Sequence, residues 1–576
     1  MEFSSIIHEP TNRFAFSISK NNFLFRIKTK KNDIKKIIFH SQDKYLPLSM
    51  VDSKNQKEMQ KFASDSYFDY WEVNLKFKVI CLRYFFELTD FEGKTEFLGN
   101  IDFYEEEITD VDLMFDCPEN SREEEIFTVP EWAKNKIVYQ IFSSRFASST
   151  PIDKKIWYKQ NLDGKENFHG DLKGITQNLE YIKDLGVDAI YLTPIFKSSS
   201  IHKYDTEDYF QIDPTLGTNE DFKNLVQKAH SLGLKIILDA VFNHTSRDFF
   251  AFADIIKNKE KSKYKDWYYI EKFPVSPKFT EDFPNFQTFG YFAGMPKTNL
   301  NNPETRKYFL DVATFWIKEY DIDGWRLDVA DEILHDFWQD FRKAVRKVKN
   351  DILITGECWH FTPDYLDGTK WDNAMNYLFY NAVRSFVACE TISATKFVET
   401  LNFIKGNYHP FVYQTLWNHL DSHDTPRFLY QAQESKQKLH LAAAFQFLLP
   451  GMPFIYYGDE VGLTGGADPD CRRGMIWEKS AQDEKMLSWY KSLIKTRKQN
   501  PIITEGKTVE TKIDDETKTI VIKKCLEEKS AFIIFCASKD FTKSEITKDF
   551  IGKTDLITAT TFDGNLSMDA KVFLTI

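Results

Sequence analysis

The sequence predicts an α/β fold: a (β/α)8 TIM barrel with an inserted subdomain after the third strand, an N-terminal β-sandwich domain and a C-terminal all-β domain. Three observations carry this prediction. Short apolar runs recur eight times between residues 136 and 460, amphipathic helical stretches separate several of them, and the chain on either side changes to strand-like patterning. Parallel strands covered on both faces read as near-continuous apolar runs, and their alternation with helices is the pattern of an α/β barrel.

Residues 1–127 supply the first domain. FLFRIKTK, YFDYWEVNLKF and ICLRYFFEL are short, aromatic, partly alternating runs set between turn-like clusters, with no helical run of good length. The Lys-rich KTKKNDIKK reads as a solvated face, and the acidic stretches at 105–107 and 123–125 as a linker. Residues 128–498 form the barrel. Its strands are predicted in KIVYQIF, VDAIYLTPIF, KIILDAVF, IDGWRLDVA, DILITGE, WDNAMNYLF, TLWNHLDS and PFIYYGDE, and its helices include NEDFKNLVQKAHSLG and PETRKYFLDVATFWIKEY. One connection is too long for a barrel loop. The segment at about 245–302 is rich in Phe, Tyr, Trp and Lys, and long barrel insertions usually wall the binding cleft. After a helix in MLSWYKSLIKTRKQNP, residues 499–576 return to strands in KTVETKI, TKTIVIKKCL, SAFIIFCAS and KVFLTI.

Composition excludes several classes. The 576 residues carry a net charge of −11, against the basic face that nucleic-acid binding requires. Seven scattered cysteines form no CxxC pair and cannot all pair internally, which fits free thiols in the cytoplasm. MEFSSIIHEP breaks at Pro10 without an apolar core, so it does not read as a signal peptide. AAAFQFLLPGMPFIYYG is interrupted by Gln446, Pro450 and Pro453, which suits buried barrel structure and not a membrane span. Aromatic residues reach 16%, a surplus that must fill cores or offer flat surfaces to a ligand.

Residues at the C-terminal ends of barrel strands face the active site. The third predicted strand ends in LDAVFNH, with Asp239, Asn243 and His244. The fourth runs into GWRLDVADE, where Arg326 and Asp328 stand two apart on one strand face. The fifth ends with Glu357, and the seventh with His423 and Asp424. Charges converging on one mouth are hard to explain by structure alone, because buried ions add little net stability. Two carboxyl groups flanking a scissile bond are what glycoside hydrolysis requires, and that chemistry needs no metal. The His–Asp pair of HDFWQDFRKAVRKVKN sits on a helix without metal-ligand spacing and reads as surface.

DAVFNH, GWRLDVADE, GECWH and LDSHDTPR resemble, in order, the four signature segments of the α-amylase family of glycoside hydrolases. GMPKTNLNNP at 294–303, HKYDTEDYFQIDPTLGT at 202–218, NFHGDLKGI at 167–175 and WDNAMNY are similar to the cyclomaltodextrinase, neopullulanase and maltogenic amylase subgroup. The resemblance implies Asp328 as nucleophile, Glu357 as general acid/base and Asp424 as transition-state stabiliser. It implies Arg326 beside the nucleophile, keeping it ionised, with His244 and His423 on the sugar at the cleavage point and Tyr204 stacked on that ring. Glu332 and Trp359 would line the acceptor side, and Phe286 of the insertion would meet substrate. Asp239 and Asn243 would support the cleft structurally. Phe249, Phe250, Trp267, Tyr268, Phe283, Phe289 and Tyr291 fall in the same insertion.

The activity so implied is retaining hydrolysis of α-1,4-glucosidic bonds in cyclodextrins, short maltooligosaccharides and pullulan, with transglycosylation to acceptor sugars. A homodimer is implied too, the N-terminal domain packing across a partner's active site. An α-glucosidase or debranching enzyme of the same family, and a non-catalytic carbohydrate-binding homologue, are the alternatives. A retaining pair implies Asp328 and Glu357 carboxyls about 5–5.5 Å apart. The chain departs from the subgroup at Asp331, where Asn is common, and at Thr298 in MPKTN, where MPKLN is usual. In place of the family's Asn/Asp-rich calcium loop it has ASSTPIDKK, whose one carboxylate is Asp153, with Lys154 and Lys155 as substitute charges.

Overall fold

The computed structural model describes residues 1–11, 13–45, 56–77, 81–117, 126–280 and 282–575. It divides into two compact units. The first holds Met1–Thr128, Leu366–Gly368 and Thr395–Tyr413, and the second the remainder.

The first unit is built on two antiparallel sheets. One runs in the order Ala15–Ser19, Asn22–Lys30, Phe68–Lys76, Gln60–Ser64. The other runs Gln56–Glu58, Ile34–Asp43, Leu82–Asp90, Thr95–Leu98, Phe103–Tyr104, with Phe115–Cys117 paired to Leu82–Asp90. Their core is strongly aromatic. Phe25 lies 4.5 Å from Phe39 and 4.8 Å from Tyr84, whose ring stacks on Phe115 at 5.3 Å. Much of the aromatic surplus is spent here on tilted and edge-to-face contacts that fill the space between sheets. The helix Ala394–Asn407 belongs largely to this unit: Asn407 Nδ2 donates to Tyr70 Oη at 2.8 Å, and Lys31 pairs with Glu399 at 2.7 Å. The acidic residues 105–107 are exposed but do not link domains. They form a loop inside the unit, because Phe115–Cys117 beyond them returns to the sheet. The other expected linker stretch, 123–125, lies outside the described residues.

The second unit contains the barrel. Its strands are Val138–Ile141, Ala189–Leu192, Lys235–Ala240, Gly324–Leu327, Leu353–Gly356, Asn373–Ala374, Trp417–His419 and Met452–Tyr456, here called first to eighth. Parallel pairing runs from the sixth through the fifth, fourth, third, second, first and eighth to the seventh. A parallel bridge between Met375 and Trp417 closes the ring. All eight expected strands are present. Side chains such as Val138, Tyr191, Ile237, Leu353, Met452 and Phe454 fill the core.

Local chemistry sets the helices. Thr218 and Asp221 form a reciprocal capping box at the start of Asn219–Ser231. Asn302 caps Pro303–Tyr320, with proline at the first turn where its missing N–H costs nothing. The sixth strand is shorter than WDNAMNYLF suggests. Asn376 accepts from the Phe379 N–H and starts the helix Tyr377–Val383.

The insertion folds on its own aromatic core. Phe252, on the helix Phe250–Asn258, packs against Tyr268 at 4.9 Å and Phe286 at 5.0 Å. A four-stranded antiparallel sheet, Lys507–Asp514, Thr519–Leu526, Lys529–Cys536 and Asp569–Thr575, ends the chain. Phe535 stacks at 4.1 Å on Phe445 of the barrel helix Lys436–Leu448. Among the described residues no helix is long and apolar enough to cross a membrane. None of the seven cysteines is in a disulfide.

Candidate active site

A cavity of about 550 Å³ opens at the C-terminal ends of the barrel strands. Its walls include Tyr204, His244, Phe289, Asp328, Val329, Glu332, Glu357, Trp359, Asp424 and Arg472. Six strand ends or the connections that follow them contribute, which is why residues distant in sequence meet.

Arg326 is the hub. It is wholly buried, and its Nη1 donates to Asp239 at 3.1 Å and to Asp328 Oδ1 at 2.8 Å. Its Nη2 forms an ion pair with Glu357 Oε1, also at 2.8 Å. One guanidinium thus spans Asp328 and Glu357 through different nitrogens. Three carboxyls around one cation cannot all ionise at low cost. Burial pushes Asp239 up to about 6 against the pull of Arg326. Burial also lifts Asp328 well above the usual carboxylate range, with Arg326 opposing and Glu357 and Asp239 adding to the rise. Arg326 thus stands beside Asp328 as expected, and its charge and hydrogen bond favour the ionised form against burial and the two like charges. The protons of this cluster belong to the set.

Glu357 is held from three sides. Arg326 meets Oε1, the Trp359 Nε1–H donates to Oε1 at 3.1 Å, and the Val329 N–H donates to Oε2 at 3.0 Å. Val329 itself adopts φ 45°, ψ 45°. A β-branched residue in the left-handed region is strained by about 1–3 kcal/mol, and such strain concentrates at functional sites.

Asp424 is half-buried at the cavity wall. His423 Nε2 lies 3.1 Å from it, and Arg472 donates to it at 3.2 Å. His423 itself is fully buried, with Gln140 at Nδ1 and Tyr204 Oη at Nε2. Neither it nor Arg326 lines the cavity, so the expectation that His423 hydrogen-bonds the sugar is corrected. Both sit one layer beneath the surface, with the His423 ring nitrogens and the two terminal nitrogens of Arg326 facing neighbouring side chains. Burial holds His423 well below the ordinary imidazole value, with Arg472 and Arg326 adding to the fall.

Tyr204 does line the cavity, its hydroxyl fixed between Asp239 at 3.0 Å and His423. His244 also lines it. Its Nε2 donates to the Tyr204 carbonyl at 3.1 Å, its ring stacks on Phe289 at 5.0 Å, and burial drives it down to about 3, so it is neutral. Glu332 and Trp359 are exposed at the rim, and Trp359 stacks on Tyr377 at 4.3 Å. Asp239 and Asn243 are buried below the lining. Phe286 is displaced from its expected role. It is buried in the insertion's core against Phe252, and Phe289 takes the cleft-side place. Of the other insertion aromatics, Phe249, Trp267 and Tyr268 are buried, whereas Phe283 and Tyr291 stand far out in solvent.

The two departures have local partners. The Thr298 hydroxyl is buried and donates to the Phe242 carbonyl at 2.6 Å. Asp331 faces Cys358 and His360. In ASSTPIDKK, Asp153 caps the helix Lys154–Trp157, and Lys154 pairs with Glu478. The adjacent Asp171 is saturated by the Ser149 N–H and hydroxyl and by the Gly174 N–H. Calcium takes 6–8 oxygen ligands. This donor set does not fit it.

Sequence reasoning missed Gln140, His202, Met295, Val329, Asp468 and Arg472. Gln140 carried a signal, as the one amide within the otherwise apolar and aromatic run IVYQIF.

Residues 140–485 match the family described as "Alpha amylase, catalytic domain", and residues 1–119 match "Alpha amylase, N-terminal ig-like domain". A cyclomaltodextrinase of Geobacillus thermopakistaniensis (strain MAS1) is 39% identical over 557 residues, covering 96% of this chain and 94% of its own. Neopullulanase 2 of Thermoactinomyces vulgaris is 42% identical over 512 residues, covering 88% and 86%. A solved cyclomaltodextrinase structure superposes with a TM-score of 0.89 at 36% identity, over 94% of this chain and 92% of that one.

Proposed function

This chain belongs to the α-amylase family of glycoside hydrolases, and on that basis we propose that it hydrolyses α-1,4-glucosidic bonds in cyclodextrins, short maltooligosaccharides and pullulan with retention of configuration. The observation that carries the reading is the single guanidinium of Arg326 bridging Asp328 and Glu357 at the cavity wall. That bridge supports the close carboxyl spacing of a retaining pair, about 5–5.5 Å, over the wider spacing of an inverting one.

In the proposed reaction Asp328 attacks the anomeric carbon while Glu357 passes its proton to the departing glycosidic oxygen. A glycosyl ester on Asp328 results. Glu357, now a carboxylate, takes a proton from water, which attacks the same carbon and frees Asp328. Asp424, steadied by His423 and Arg472, binds ring hydroxyls, and the fixed Tyr204 ring offers a flat apolar face. An acceptor sugar bound near Glu332 and Trp359 can replace water, giving transglycosylation. Cytoplasmic location fits seven cysteines outside any disulfide. A homodimer follows from the subgroup resemblance, and a monomeric elution at micromolar concentration with full cyclodextrin activity would count against it.

Product analysis after digesting cyclodextrin and pullulan side by side tests the substrate reading. Linear maltooligosaccharides from the first and a trisaccharide from the second are expected. Failure to open cyclodextrin while maltotriose is cleaved would move the protein to the α-glucosidases. Wild-type turnover by Asp328→Ala would end the mechanism itself.

A further inference from the structure

Beside the proposed acid, three side chains of different chemistry converge that the proposed steps do not use, Asp331 among them at the cavity wall. Cys358 directly follows Glu357 and is buried, His360 is exposed, and Asp331 closes the group from the loop after the fourth strand. Cys358 Sγ lies 3.7 Å from Asp331 Oδ2 and 3.6 Å from His360 Nδ1, and His360 Nδ1 lies 3.7 Å from Asp331 Oδ2. The three atoms form a nearly equilateral triangle.

Tetrahedral zinc has bonds of about 2.3 Å to sulfur and about 2.0–2.1 Å to nitrogen or oxygen, so neighbouring ligand atoms stand about 3.3–3.6 Å apart. The observed triangle exceeds those edges by a few tenths of an ångström, a gap that the freely exposed His360 ring can close. Thiolate, imidazole and carboxylate form a donor set suited to a borderline-soft divalent ion and unsuited to calcium or magnesium. Three protein ligands leave a fourth position open to water.

We propose that Asp331, Cys358 and His360 form an inhibitory binding site for zinc-class divalent cations. Binding replaces the thiol proton of Cys358, which is released to solvent, and joins the loop after the fourth strand to the segment after the fifth. That segment carries Glu357 and its hydrogen-bond donor Trp359, and the joined loop carries Val329, the other donor to Glu357. Occupancy fixes both donors in the cation's geometry, and turnover falls. The site goes beyond the proposed hydrolysis, and its binding readouts do not depend on that activity.

The test uses the full reduced chain. Equilibrium dialysis against zinc is expected to give one tightly held ion per chain, weakened roughly tenfold or more in Cys358→Ala and in His360→Gln. The second variant alters an exposed side chain, so a folding defect in the first leaves the question decidable. Cobalt in place of zinc is expected to show a thiolate charge-transfer band that Cys358→Ala lacks. Zinc is expected to slow cyclodextrin opening by wild type, reversibly on chelation, and to leave both variants at their metal-free rate. Equal zinc affinity in wild type and variants, a cobalt spectrum without the band, or full turnover by the zinc-loaded enzyme would each overturn the proposal.

Discussion

The Val329 N–H donates to Oε2 of Glu357 at 3.0 Å from a residue whose backbone is left-handed, a conformation that a β-branched side chain resists. Asn accepts that conformation more readily. Val329→Asn is therefore expected to stabilise the fold by about 1 kcal/mol and to lower kcat, because its longer, polar side chain changes the cleft wall beside both carboxyls. Urea denaturation and steady-state kinetics on cyclodextrin check the pair of effects. A destabilised variant would show that Val329 is not strained.

Trp359 acts on Glu357 through one N–H while its ring stays stacked on Tyr377. Trp359→Phe keeps a ring and deletes the donor. A hydrogen bond to a charged group contributes about 1.5–3 kcal/mol, so a fall of roughly tenfold to a hundredfold in kcat is expected with little change in KM. A variant that loses only KM would assign Trp359 to sugar stacking alone.

The raised Asp328 fixes the sign of the pH response. A nucleophile must be ionised, so activity falls as pH drops through its titration, and the acid limb of kcat/KM should lie above the ordinary aspartate value of about 4. Asp239 is one of the charges holding Asp328 up. Asp239→Asn removes it, and the acid limb should move to lower pH by on the order of one unit. An unmoved or upward-shifted limb would contradict the cluster electrostatics.

Gly356 ends the fifth strand, one residue before Glu357. A Cβ there would stand 2.2 Å from the Trp371 ring, which is wholly buried and stacked on Tyr365 at 4.3 Å. Gly356→Ala is expected to cost about 1–3 kcal/mol through overpacking and to displace Glu357. The urea midpoint and kcat should fall together.

Asp153 and Asp171 are already committed to backbone and hydroxyl donors. In protein prepared without zinc, chelation by EDTA is therefore expected to leave the thermal unfolding midpoint unchanged. A lower midpoint, restored by added calcium, would place a calcium site elsewhere in the chain.

What the sequence made legible was what local pattern encodes. Eight apolar runs marked eight strands, and the polar residues at their ends marked the cavity, because strand ends in a barrel share one mouth. Depth was not legible. Arg326 and His423 stand in motifs beside Asp328 and Asp424, yet they lie beneath the surface. Strand alternation gives a direction for each side chain and says nothing of what covers it. Phe286 and Phe289 are three residues apart in one aromatic segment. Only the insertion's packing against Phe252 decides that one fills a core and the other meets the cleft. Arg472 reaches Asp424 across 48 residues of chain, a contact that no local pattern signals.

Lys297, in the MPKTN segment, bonds both Asn243 at 2.7 Å and Glu332 at 2.8 Å, joining the insertion to the loop that follows the fourth strand. Anyone grafting this insertion onto a related barrel would have to transplant a matched acid with it. A chimera that takes Lys297 without Glu332 inherits a cation at the rim with half its anchorage gone, so the two positions should be exchanged as one module.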